Sequence, residues 1–86
     1  MKGIRLSFNI SPHDLETRVL QAEKFLKKGD RVRAEIILRG RERAFSELAK
    51  GKVNQFLEML EKLIPIKIER ELKKEARGLT VIIAKQ

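Results

Sequence analysis

Hydrophobic and polar residues alternate from Ile4 to Ile10. Ile4, Leu6, Phe8 and Ile10 fall on one side, and Arg5, Ser7 and Asn9 on the other. A period of two predicts a strand with one buried face. The period then lengthens: Leu15, Val19, Ala22 and Leu26, with Phe25 beside them, recur at helical spacing. Ser11 suits the N-cap of this helix, Pro12 its first position, and Asp14 a weaker variant of the capping box. Lys27 and Lys28 fall in its last turn, where cations favour the helix dipole, and Gly29 supplies a left-handed stop.

From Asp30 to Arg43 the period of two returns. Val32, Ala34, Ile36 and Leu38 face one way, and Arg31, Arg33, Glu35, Ile37, Arg39 and Arg41 the other. Between Arg41 and Ser46 the period changes again. Phe45, Leu48, Val53, Phe56, Leu60 and Leu63 mark one side of a second helix, flanked by Ala49, Leu57 and Met59. Glu58 and Lys62 are spaced as an i, i+4 pair. Gly51 lies within this helix at a cost of about 1 kcal/mol relative to alanine, and invites a bend or a close packing contact. Ile64, Ile66 and Ile68 open a third strand around Pro65, and Lys73 to Gly78 reads as a charged hairpin turn. Leu79, Val81 and Ile83 form the core side of a last strand, with Thr80 and Ile82 outward.

The predicted order is βαβαββ. Each helix is long enough for a right-handed crossover between parallel strands, and the last two strands form a hairpin. The expected fold is an α/β (α+β) two-layer sandwich: a four-stranded mixed sheet with both helices on one face. Residues 1–86 form one domain, without repeat, linker or low-complexity segment. Such a chain buries roughly 60–70% of its unfolded surface, enough for one core without metal or disulfide.

Composition narrows the function. Hydrophobic residues make up 42% of the chain, too many for disorder, and there is no cysteine to form a disulfide, a thiolate nucleophile or a zinc ligand. No apolar run approaches the roughly 18 residues of a spanning helix, and no signal-peptide core follows Met1, so a cytoplasmic, soluble monomer is expected. Twenty Lys and Arg against 12 Asp and Glu give a net charge of +8. That excess points to a polyanionic partner, nucleic acid or an anionic membrane surface, and nucleic acid is the expected one.

The basic residues concentrate in one stretch. Lys27, Lys28, Arg31, Arg33, Arg39, Arg41 and Arg43 face only Asp30, Glu35 and Glu42 there, a local net of +4. Individually, several could be paired surface residues, such as Arg33 or Arg39 with a Glu35-type partner. As a set they lack enough acids. A second group, Arg70, Lys73, Lys74 and Arg77, lies at the hairpin among Glu69, Glu71 and Glu75, and Arg77 beside Gly78 stands out. His13, the only histidine, lacks the companions that a base or ligand needs. No phosphate loop, carboxylate pair or Ser/His/Asp set is present, so neither enzyme activity nor a cofactor is expected. All four Phe fall on predicted core faces, so phosphate, sugar and shape should dominate RNA contact over base stacking. Two readings stay open on these grounds: a general RNA-binding module on this fold, and a structural or designed scaffold whose charge serves solubility, with Leu20 and Ile82 as an apolar contact.

The residues Phe25-Leu26-Lys27-Lys28-Gly29-Asp30, then Arg31-Val32-Arg33-Ala34-Glu35-Ile36-Ile37-Leu38-Arg39-Gly40-Arg41-Glu42, then Ser46-Glu47-Leu48, with Arg77 before the last strand, carry a family resemblance. Across nearly its whole length the chain resembles the C-terminal domain of bacterial translation initiation factor three. The resemblance implies binding to small ribosomal subunit RNA near the platform, hindrance of subunit joining, and help in selecting initiator tRNA and start codon at the P site. It also implies RNA contacts at Arg77, at Arg18 and Lys24 on the first helix, and at the strand-end motif Arg39, Arg41, Glu42. The chain departs from the family pattern at Asn9, Leu20 and Gln55, where members commonly carry arginine. The family's N-terminal domain and lysine-rich linker have no counterpart in these residues. The RNA-binding set expected from both arguments is therefore Arg18, Lys24, Lys27, Lys28, Arg31, Arg33, Arg39, Arg41, Arg43, Lys74 and Arg77.

Overall fold

In the computed structural model, which describes residues 1–86, the order βαβαββ holds. Strand β1 is Lys2–Ser7, helix α1 Pro12–Lys27, strand β2 Val32–Ile37, helix α2 Ser46–Glu61, strand β3 Ile66–Glu75 and strand β4 Gly78–Lys85. The sheet order is β1-β2-β4-β3. β1 and β2 are parallel, with Lys2 opposite Val32 and Ser7 opposite Ile37. β4 runs antiparallel to both β2 and β3. It is thus inserted between the two strands that α2 connects. That placement suits the sequences: apolar β4 is central, whereas charged β3 is an edge, where lysines discourage further pairing.

Both helices pack on one face. Leu15, Val19, Ala22 and Leu26 of α1 and Ala49, Val53, Phe56, Leu57 and Leu60 of α2 join the inward residues of the strands in a core of 20 buried residues. The N-cap expected at Ser11 is formed: its Oγ accepts from the Asp14 N–H at 3.1 Å. At the other end of α1 Gly29 adopts φ 88°. Its N–H donates to the Leu26 carbonyl and that of Asp30 to the Phe25 carbonyl, the paired bonds of a Schellman stop.

Several boundaries differ from the sequence expectation. β1 ends at Ser7, and the Ile10 N–H turns back to the Ser7 carbonyl at 3.2 Å, so Phe8 and Ile10 leave the strand and lie half-buried at the core's rim. The alternation that runs on to Arg43 outlasts β2. The strand stops at Ile37, and Gly40, at φ 52°, opens a 3₁₀ turn over Gly40–Phe45. That turn moves Phe45 out of α2 and leaves it 48% exposed, while Leu48, one position before buried Ala49, is 62% exposed, and Leu63, beyond the helix end, is also exposed. Phe25 is only partly buried. α2 runs unbroken through Gly51, where an added Cβ would meet nothing within 4 Å, so neither a bend nor a close packing contact needs the glycine. The ion pair on α2 is Lys50–Glu47, and Glu58–Lys62 is absent.

The hairpin is also tighter than Lys73 to Gly78. β3 starts at Ile66 and extends to Glu75, leaving only Ala76 and Arg77 between the strands. Two register shifts lie between Ile68 and Lys73, on the exposed edge that also leaves Ile68 outside the core. Thr80 does face the open side of the sheet, yet is only 4% exposed, because side chains of β3 cover it.

Candidate nucleic-acid interface

The open face of the sheet carries a ladder of charges. Arg5 of β1 reaches Glu35 of β2 (Nε–Oε1 3.3 Å), and Glu35 also holds Arg33 (2.9 Å). Arg33 continues to Glu75 (3.6 Å), and Glu75 to Arg70 (2.9 Å). Arg70 donates to the Thr80 hydroxyl at 2.8 Å, and that hydroxyl donates to Glu75. The Thr80 hydrogen bond, with the nearby Arg70 and Arg33 charges, holds the Glu75 carboxyl below the usual carboxylate range. At the start of β2, Arg31 pairs with Glu69 (3.3 Å), and on α1 Lys27 pairs with Glu23 (3.4 Å). Three of the basic residues expected to bind RNA, Lys27, Arg31 and Arg33, therefore have carboxylate partners already.

A different group makes no ion pair: Arg18, Arg39, Arg41, Arg43 and Arg77, together with Lys24, Lys28 and Lys74. Four of them converge at the C-terminal ends of β1 and β2. A cleft of about 550 Å³ runs between the ends of these strands and the start of α1, with Arg18 and Arg39 on its walls. A neighbouring cleft of about 330 Å³ carries Arg39, Arg43 and Arg77. Arg5 and Ile37 line both. Arg41, on the same 3₁₀ turn, is exposed but lines neither cleft.

Local backbone chemistry explains this convergence. The Glu42 carboxylate accepts from the Arg39 N–H at 3.0 Å, and the Glu42 N–H donates to the Arg39 carbonyl at 2.9 Å. Glu42 thus fixes the turn and leaves the Arg39 guanidinium free. Arg77 is brought alongside by its carbonyl, which accepts from the Leu38 N–H at 2.7 Å. Gly78 allows that approach, since a Cβ there would lie 1.9 Å from the Ile36 carbonyl oxygen. Arg18 enters from the first turns of α1 and donates to Gln21 at 3.2 Å.

The remaining expected residues lie elsewhere. Asp14 lines the large cleft, and Lys27 is 13 residues further along α1, roughly 20 Å away at about 1.5 Å per residue. Lys24 and Lys28 belong to that far end. Arg31 precedes β2, eight residues from Arg39, roughly 26 Å in extended chain. Lys74 pairs with Leu79 in register on the edge strand. Of the cleft residues, Arg5 and Phe8 are not singled out for function by sequence reasoning, and Asn9 only as a departure from the family pattern. Arg5 reads as an ordinary outward strand residue, and only the parallel pairing of β1 with β2 sets it beside Glu35, Ile37 and Arg39. No group of three or more His, Cys, Asp or Glu is placed to hold a metal, and no helix is long and apolar enough to cross a membrane.

Fold and site together define a two-layer α/β domain with an arginine-lined strand edge. Residues 1–86 match the model of the translation initiation factor IF-3 C-terminal domain family. The chain is 39% identical over 82 residues to translation initiation factor IF-3 of Mesoplasma florum, covering 95% of this chain and 44% of that protein. It is 36% identical over 84 residues to IF-3 of Trichormus variabilis, covering 98% and 46%. A chloroplastic IF-3 of Cyanidioschyzon merolae is 46% identical over 56 residues, covering 65% and 32%. The chain belongs to the family of the IF-3 C-terminal domain, a domain of translation initiation factors and not an enzyme. It spans less than half the length of these relatives.

Proposed function

We propose that this domain binds small ribosomal subunit RNA through the edge formed by Arg18, Arg39, Arg43 and Arg77, working as a cytoplasmic monomer. Bound there, it hinders joining of the large subunit and aids selection of the start codon and initiator tRNA, whose region lies nearby. Membership of the IF-3 C-terminal domain family supports the ribosomal target. The observation that carries the choice of surface is the split between paired and unpaired cations. A guanidinium paired with a carboxylate has part of its charge offset and some of its donors taken, whereas an unpaired one offers its whole charge and fork to a phosphate. The four cleft arginines lie on α1, after β2, in the 3₁₀ turn and in the β3–β4 turn, so one end of the sheet presents them together.

The test is a subunit-binding and anti-association assay at two salt concentrations. Binding at low salt that weakens steeply at high salt, with inhibited subunit joining, is the expected result. No binding at low salt would sink the reading. Equal competition by unrelated structured RNA would favour a general RNA-binding module instead.

A further inference from the structure

The large cleft differs in character from a plain phosphate groove. Its lining combines the apolar side chains of Phe8 and Ile10 with the Asn9 amide, the Asp14 carboxylate and the guanidinium groups of Arg18 and Arg39. Phe8 is only partly buried, and its ring lies in a tilted contact with Phe45, with centroids 6.2 Å apart. Sequence reasoning assigns every phenylalanine to the core and so leaves no aromatic surface for a base. The chain reversal after Ser7 changes that, because it carries Phe8 to the rim of a cleft where apolar side chains, Leu6, Ile10 and Ile37, meet polar and charged ones. A volume of about 550 Å³ falls within the range of roughly 300–1,000 Å³ typical of small-molecule sites.

We propose that this cleft accepts a single unstacked nucleotide of single-stranded RNA, with its base against Phe8 and Ile10 and its phosphate toward Arg39. Stacking on an aromatic ring favours binding and tolerates any base. Asn9 adds an amide donor and acceptor for a base edge. The Asp14 side chain makes no hydrogen bond within the protein, since only its backbone N–H is used by Ser11. Its carboxylate repels phosphate but accepts from an exocyclic amino group, which favours a base so equipped. The flanking Arg18 and Arg39, neither ion-paired, then take the 5′-phosphate, and the strand continues along Arg43 and Arg77 in the adjoining cleft. This inference rests on the reading of the arginine edge as an RNA surface, and adds a base-contacting pocket to it.

The experiment is an amide NMR titration of the chain with adenosine 5′-monophosphate and, separately, ribose 5-phosphate, which carries the same phosphate without a base. The nucleotide is expected to bind at least threefold more tightly, with its largest shifts at Phe8, Asn9 and Ile10. Asn9→Ala and Phe8→Leu should bring the ratio of the two affinities toward one. Asn9 is exposed and outside every strand and helix, so its variant keeps the test valid if Phe8→Leu folds poorly. Equal affinities, with shifts confined to Arg39 and its neighbours, would overturn the base pocket and leave the phosphate-binding edge standing. Loss of small-subunit binding on replacing Asn9, with no nucleotide preference, would also overturn it. Unchanged small-subunit binding on replacing Arg39 and Arg77 would instead overturn the RNA surface itself.

Discussion

Glu75 is the residue on which the open face of the sheet turns. Its carboxylate receives the Thr80 hydroxyl and lies against Arg70 and Arg33, so its ionised form is favoured in the folded chain. The sign of the consequence follows from linkage. A carboxyl with a lowered folded pKa contributes stability above its unfolded value of 4.5, and loses it as pH falls from there toward the folded value. Urea unfolding of the wild type should therefore show a midpoint that drops below about pH 4.5, the unfolded carboxylate range. Glu75→Gln should be less stable at pH 7, and the difference from wild type should shrink as pH falls through that window. A difference constant from pH 7 to pH 3 would mean that Glu75 acts by packing and not by charge. The side chain is solvent-accessible, so the effect belongs with the modest values of surface ion pairs.

At the scale of elements, α1 and α2 begin in different ways. α1 has a side-chain cap, the Ser11 hydroxyl on the Asp14 N–H. α2 has none: Phe45 precedes it, and the chain enters from the 3₁₀ turn that Glu42 fastens. Ser11→Ala should therefore cost about 1 kcal/mol in denaturant unfolding, whereas Ser46→Ala should cost a few tenths at most, since Ser46 caps nothing. Equal costs would deny Ser11 its role. The contrast also shows what was readable beforehand. Ser11, Pro12 and Gly29 mark α1 because capping chemistry is local, and the chain's two periods separate helix from strand for the same reason. The exact end of β2 was not readable: the apolar alternation runs to Leu38, past the last strand residue Ile37, and only the left-handed Gly40 and the Glu42 bonds to Arg39 turn the chain aside. Non-local pairing was hidden too. Nothing in β3 or β4 alone says that β4 enters between β2 and β3, and that insertion is what places Arg77 beside Leu38 and Arg39.

For the whole molecule the question is whether the net charge of +8 acts as a diffuse field or through a few contacts. A diffuse field would make every cation count alike. The pairing pattern argues otherwise, because Arg31 and Arg33 have their charge offset by Glu69, Glu35 and Glu75, while Arg39 and Arg77 do not. Arg31 also lies roughly 26 Å of extended chain from Arg39, well over the roughly 8–10 Å screening length at ordinary salt. Small-subunit binding measured across a salt series separates the two views. Each cation that neutralises a phosphate contributes about 0.7–0.9 to the slope of log K against log salt. Arg39→Gln and Arg77→Gln should each weaken binding and reduce the slope by about that amount. Arg31→Gln and Arg33→Gln should leave the slope unchanged, and any loss of affinity should track loss of fold stability. If all four lowered the slope alike, the open sheet face would have to be part of the bound surface, with its carboxylates displaced when RNA arrives. If none did, the arginine edge would not touch the nucleic acid, and the partner would have to approach over other unpaired cations, such as Lys24 and Lys28 at the far end of α1.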